Sequence, residues 1–391
     1  MQRFSHKNKH LSGSDPVINP FKFGNIVSGD FFYNREDELL RIKQTLAGGN
    51  NITLYAPRRY GKSSLVNKAL KELEQEGFTT IYLDIMSVYS RDTFIKNYTR
   101  AIADKQKASL ENTIKKMAGL ISGIVPSVAF DSTGMPSFSL SWIQGKDKEQ
   151  TLIDVINLPE KLATDKSRWI IAFDEFQEIT KLNGEKFEKM LRSAIQHHQN
   201  VSYLFLGSKT HILKDMFSNK NRAFYNAAAI MSIDTIEENK SVKYLITRFK
   251  RSDIKIDRDT AEYLLQTAGN IPYYIQYIAF EIWQNMILSD TDKITTKHVD
   301  QAVKRVLELK SDYYWELTNK HTSYRKKVLY ALSRSAPELF SKKTTQDFDL
   351  GAVSSTQKAI DVFINDGIIE RNQSKYDFSD PIYKKFINRH L

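Results

Sequence analysis

The stretch NITLYAPRRYGKSSLV, residues 51–66, decides the fold. It opens as an apolar, β-prone run, breaks into a basic turn at Pro57, Arg58 and Arg59, and restarts at Lys62 as a helix. Gly61 permits close backbone approach. The loop N–H groups and the N-terminus of the following helix then form a concave positive site for phosphate oxygens. Lys62 reaches the β- and γ-phosphates of a nucleotide, and the Ser63 hydroxyl takes a place on Mg2+. The cradle comprises Ala56, Pro57, Arg58, Arg59, Tyr60, Gly61, Lys62, Ser63 and Ser64. Ala56 stands where the pattern usually has its first glycine, a departure that puts the loop geometry in question.

Upstream, Leu39, Leu40, Ile42 and Leu46 recur at helical spacing, with acidic residues in the first turn and Gly48-Gly49 as the stop. Downstream, a helix is expected over 62–76, a second strand over 79–84 and an amphipathic helix over 91–105. Between 106 and 150, VAF and FSLSW flank DSTGMP as a hairpin, expected to be an insertion covering one edge of the sheet. A helix over 152–163 leads to RWIIAFDE, residues 168–175. A run this apolar is buried on both faces, as in a parallel sheet under helices. It delivers Asp174 to hold Mg2+ and Glu175 to orient and deprotonate an attacking water. After a helix over 187–198, the run VSYLFLG ends at Ser208, a polar tip able to sense the γ-phosphate or the lytic water, and AAIMSI, residues 228–233, supplies a fifth strand. The alternation predicts an α/β fold: a P-loop NTPase with a doubly wound parallel sheet and its ligand at the carboxyl ends of the strands.

From Glu237 helices take over, at 240–250, 259–268, 271–288 and 296–310, forming a helical lid subdomain. Residues 311–322 read as a charged, aromatic connector. Helices at 324–334, 343–348 and 354–365, then strands at 367–370 and 375–378, make a winged helix-turn-helix. The expected division is a flexible tail over 1–20, an ATPase core over 21–236, the lid over 237–310 and the winged domain over 311–391.

Composition narrows the class further. The 391 residues are 41% hydrophobic and 26% charged, which suits an ordinary globular chain of two to three domains. With no Cys there is no disulfide, Cys-ligated zinc or Cys nucleophile. The basic start carries no apolar signal-peptide core, and the longest apolar stretch, 117–130, falls short of the ~20 residues that span a bilayer. A cytoplasmic protein without a membrane partner is expected. His197-His198 reads as solvated helix surface. The net charge of +11 favours a polyanionic partner, nucleic acid first. Residues 301–391 hold sixteen Lys/Arg against eleven Asp/Glu. The candidate recognition helix SSTQKAIDVFIND nevertheless has Lys358 as its one cation, which argues against sequence-specific base reading.

With these residues in hand, the chain resembles the AAA+/STAND-like prokaryotic P-loop ATPases often called archaeal-type. The resemblance rests on FYNREDEL (32–39), APRRYGKSSL (56–65), IIAFDEFQEI (170–179), the strand into Gly207-Ser208, Gly269-x-x-Pro272 and FSDP (378–381). It implies ATP and Mg2+ as ligands and ATP hydrolysis as the activity. It also implies a lid turn, Gly269 to Pro272, that approaches the nucleotide, and an arginine acting on the γ-phosphate. Arg222 in NRAFYNAAA is the first candidate for that arginine and Arg248 the second, supplied in cis or through self-association. The expected function is an ATP-hydrolysing switch whose nucleotide state controls the lid and the winged domain. Its expected partner is duplex DNA or another protein. The alternatives are an initiator-like DNA-binding protein with ATP as a structural ligand, similar to archaeal origin-recognition initiators, and a docking scaffold with weak ATPase.

Overall fold

A computed structural model describes residues 18–27, 29–106, 110–130, 136–289, 291–335, 338–372 and 375–391. The tail expected over 1–20 lies outside the described residues as far as residue 17, as do 131–135 of the expected hairpin turn.

Five parallel strands form the central sheet: β1 (Ile52–Tyr55), β2 (Thr79–Asp84), β5 (Trp169–Asp174), β6 (Val201–Gly207) and β7 (Ala229–Ser232), in the order β2-β5-β6-β1-β7. Every residue of β5 and β6 is buried, as continuous apolar runs require. The period of two divides their side chains between the faces. Ile170, Ala172, Leu204 and Leu206 join Leu54, Leu65 and Val66 in one core, while Ile171, Phe173, Tyr203 and Phe205 join Phe94, Phe187 and Phe217 in the other. The register sets Tyr55 beside Gly207 and Ser232, and Asp84 beside Asp174. The loops that follow β1, β5 and β6 therefore leave the sheet from one edge.

The hairpin is present as β3 (Ile124–Phe130) and β4 (Pro136–Trp142), antiparallel. It forms a separate two-stranded sheet and sinks Ile124 and Phe138 into the core under the helix Arg91–Asp104. It does not hydrogen-bond to β2, the outermost strand of the central sheet on that side.

The helices Glu238–Lys250, Arg258–Thr267 and Pro272–Ser289 form the lid. Most of the expected connector, 311–319, is helical: one helix runs from Thr296 to Asn319, and 320–322 join it to the next. Val299, Val303, Val306, Tyr314 and Thr318 are all buried along it, so the helical stripe continues through the aromatic segment. The winged domain follows with helices Ser323–Ser335, Lys342–Asp347 and Val353–Asn365, then β8 (Ile369–Asn372) and β9 (Lys375–Phe378) in antiparallel pairing. A last helix, Pro381–His390, is capped by Asp380, whose Oδ1 accepts from Ile382 and Tyr383 N–H at 2.9 Å each. Lid and winged domain share one apolar core that runs from Leu245 and Ile278 to Leu332, Phe363 and Phe386. Phe21 of the N-terminal segment enters the same core against Phe249.

Candidate nucleotide site

β1 hands the chain to the cradle through Ala56, which is fully buried in the core with Leu54 and Leu65. Its N–H still reaches the Gly207 carbonyl at 3.4 Å. The departure from glycine is thus a small residue packed into the core directly after β1. Arg59 and Gly61 both have positive φ, 74° and 87°. No atom would meet a Cβ at Gly61, so the backbone conformation, not crowding, calls for glycine there. The helix Lys62–Gln75 begins at once, and its first-turn N–H groups have no acceptor within the helix.

Lys62, Asp174, Glu175 and Ser208 meet above the sheet. Lys62 Nζ lies 2.5 Å from Asp174 Oδ1 and 3.2 Å from Glu175 Oε1. Glu175 follows β5 in a left-handed conformation, φ 49°, which turns its side chain back over the sheet edge. Its Oε2 accepts from Ser208 N–H at 3.2 Å, Ser208 Oγ at 2.9 Å and Gln177 Nε2 at 2.5 Å. Burial opposes its charge, but Lys62 and these hydrogen bonds outweigh burial and hold the carboxyl below its usual range. Asp174 also accepts from Tyr82 OH, on β2, a residue that no motif marks. Burial, then the Asp174 charge, raise the Tyr82 phenol far above its ordinary range, so it stays a donor. A hydroxyl at Ser63 and a carboxylate at Asp174, both tied to Tyr82, form an oxygen donor set that suits a hard divalent cation.

A cavity of about 420 Å³ opens here. Pro57, Arg58, Arg59, Tyr60, Gly61, Lys62, Ser63, Ser64, Glu175, Ser208 and Pro272 line it together. Its far wall is formed by Lys22 to Val27, Phe31 to Tyr33, Ile236, Tyr273 and Gln276, of which Phe32 and Tyr33 open the FYNREDEL motif. Segment 22–27 is held by Val27 N–H donating to Ser64 Oγ at 3.0 Å and Lys22 N–H to Gln276 Oε1 at 3.3 Å. No periodic pattern distinguishes these residues, so only their nearness in space reveals them. Arg35 is buried, pairs with Glu38 at 2.7 Å and donates to the carbonyls of Tyr60 (3.4 Å) and Asp234, which fixes one rim of the loop.

Three expected site residues stand elsewhere. Gly269 faces Pro381, where a Cβ would come within 3.4 Å, and lines a second cavity between lid and winged domain. Arg222 makes a two-pronged pair with the buried Glu188 (2.7 and 3.2 Å) and reaches Asp215 at 3.1 Å, outside the cavity wall. Arg248 is buried under the rings of Phe31 and Tyr244 and does not line the cavity either. His198 also departs from expectation: it is half-buried, bonded to Asn157 Oδ1 at 2.8 Å and Tyr203 OH at 2.7 Å, and burial lowers its pKa to about 4. It is a packed bridge, not a solvated face.

Residues 32–278 match an ATPase domain found predominantly in Archaea, and residues 312–389 match a probable winged helix domain. No curated protein matches the sequence. Among solved structures, the Walker-type ATPase PABY2304 of Pyrococcus abyssi superposes with a TM-score of 0.65 at 16% identity, over 94% of this chain and 99% of that one. The Aeropyrum pernix ORC2 protein, solved with ADPNP and ADP, gives 0.53 at 11% identity, over 90% and 92%. At such identities the likeness is one of fold: a P-loop ATPase sheet, a helical region and a winged helix.

Proposed function

This chain belongs to the family of ATPase domains found predominantly in Archaea, and on that premise we propose that it binds and hydrolyses ATP as a switch moving its lid and winged domain. The observation that carries the reading is the meeting of Lys62, Asp174, Glu175 and Ser208 at the edge of the sheet where the cradle ends.

Lys62 leaves the carboxylates for the β- and γ-phosphates when ATP enters, and the first-turn N–H groups take phosphate oxygens. Ser63 and Asp174 hold Mg2+, which supplies neutralisation of the phosphate charge. Glu175, released from Lys62 but still oriented by Ser208, accepts a proton from a water in line with the γ-phosphorus. The water oxygen bonds to phosphorus as the bond to the bridging oxygen breaks, leaving ADP and inorganic phosphate. With the core assigned to 21–236, the lid to 237–310 and the winged domain to 311–391, the last two respond as one body, because they share a core and the helix Thr296–Asn319. The γ-phosphate arginine is assigned to a second copy or a partner. Arg222 is the first candidate: it sits on the surface-facing side of its pair, with Glu188 holding it in place. Glu175→Gln tests the chemistry: the variant binds ATP and loses turnover, and preserved turnover would remove Glu175 from the mechanism.

A second reading, contact with duplex DNA, draws on the excess of five positive charges over residues 301–391 and on exposed Lys342, Lys343, Lys358 and Lys375. Lys326 and Lys327 are already engaged, by Asn319 and Asp349 at 2.7 Å each. Duplex affinity that falls steeply with salt, and less steeply for Lys342→Glu/Lys343→Glu, supports this reading; affinity indifferent to salt removes it.

A further inference from the structure

Arg59 belongs to the phosphate loop, yet its side chain is held by the other end of the chain. Its guanidinium donates to Tyr274 OH and to Asp380 Oδ2, the latter at 3.2 Å, and lies over the rings of Tyr273 and Tyr274 at 5.3 and 5.1 Å. Its carbonyl accepts from Tyr273 N–H at 3.3 Å. Asp380 sits at the start of the last helix of the winged domain and is buried; Oδ1 caps that helix, while Oδ2 accepts from both Arg59 and Tyr314 OH, the latter at 3.0 Å. A second cation, Lys310, lies over the rings of Tyr273, Tyr274, Tyr277 and Tyr314. One buried carboxylate thus pairs with the phosphate-loop cation Arg59, with Lys310 on the neighbouring rings, next to a cavity built for phosphates. The two carboxylate oxygens divide the work: one holds the helix, the other the loop.

We propose that Asp380 is a positioning residue for the phosphate loop, holding the Arg59 side chain toward the winged domain and so setting how strongly that loop attracts a nucleotide. The inference rests on the nucleotide reading above and names the contact through which the winged domain acts on it. An anion cannot take Arg59 without competing with Asp380. By reciprocity, nucleotide phosphates that draw Arg59 away weaken the grip of the winged domain on the core.

The test is a double-mutant cycle on the full chain, read by fluorescence titration with mant-ATP and Mg2+. Asp380→Asn keeps an oxygen for the cap and removes the charge, so it tightens mant-ATP about fivefold or more. The same change in an Arg59→Gln background leaves affinity unmoved. A purely structural role for Asp380 predicts equal effects in both backgrounds. That result, or no change in the single variant, would overturn the inference. Asp380→Ser, also a good cap, is carried in parallel, so that a folding defect peculiar to Asn does not decide the outcome. Wild-type protein that binds no mant-ATP would overturn the nucleotide reading itself, and this inference with it.

Discussion

Lys62 Nζ lies 2.5 Å from Asp174 Oδ1, joining the first residue of the helix after β1 to the last residue of β5 across the intervening β6. Both side chains are more than nine-tenths buried. With Glu175 Oε1 at 3.2 Å, Lys62 ties both carboxylates of the β5 edge to the start of the cradle helix. On the proposed reading, nucleotide binding exchanges these partners of Lys62 for phosphate oxygens.

Removal of Lys62 follows directly from that exchange. Lys62→Ala leaves Asp174 with the Tyr82 hydroxyl and the Glu175 N–H, but without its countercharge. The expected cost is about 3–5 kcal/mol in the absence of nucleotide. The same variant loses ATP binding. Thermal denaturation without ligand, together with mant-ATP titration, checks both halves; an unchanged melting temperature would show that the pair contributes nothing to the resting fold.

Tyr82 supplies a prediction separate from ATP affinity. Its hydroxyl donates to Asp174, the residue assigned to Mg2+. Tyr82→Phe should raise the Mg2+ concentration needed for half-maximal turnover about tenfold, as loss of a supporting hydrogen bond to a metal ligand does. Affinity for mant-ATP without Mg2+ should hold. A loss of both together would mean that Tyr82 supports the loop and not the metal ligand.

Glu370 gives a pH dependence with a definite sign. Burial, partly offset by Ser379 and Arg59, raises its pKa from 4.5 to about 7. Between those two values the folded chain binds more protons than the unfolded one, so stability falls as pH rises through that window. Glu370→Gln removes the penalty and should stabilise the protein by up to about 3 kcal/mol at pH 8, with almost no effect at pH 4. Chemical denaturation of both proteins at the two pH values measures the difference; an equal gain at both would rule out ionisation as its cause.

Much of the site is legible in the sequence. A strand, a basic turn and Gly61-Lys62-Ser63 name the cradle, and a fully apolar strand ending in Asp174-Glu175 names its partner carboxylates. Burial of β5 and β6 on both faces explains why those runs are unmistakable. What escapes depends on contact between distant segments. Residues 22–27 reach the cavity through Phe21, buried in the lid core, and through hydrogen bonds to Gln276 and Ser64. The wall they form carries no motif. Arg222 and Arg248 are candidates by position in the chain, whereas their guanidinium groups are engaged by Glu188 in one case and by Phe31 and Tyr244 in the other. Two features do leave signals in the sequence: the stripe from Val299 to Thr318 continues at helical spacing through the supposed connector, and Asp380-Pro381 is a capping residue followed by a proline in the first turn.

The most direct test of the account is phosphate release from ATP and Mg2+ by wild-type protein and by Glu175→Gln, alongside mant-ATP binding by each. Turnover lowered at least about a hundredfold in the variant, with nucleotide binding retained, is the predicted result. Equal phosphate release by the two proteins would contradict the assignment of Glu175 and, with it, the reading of this sheet edge as a hydrolytic centre.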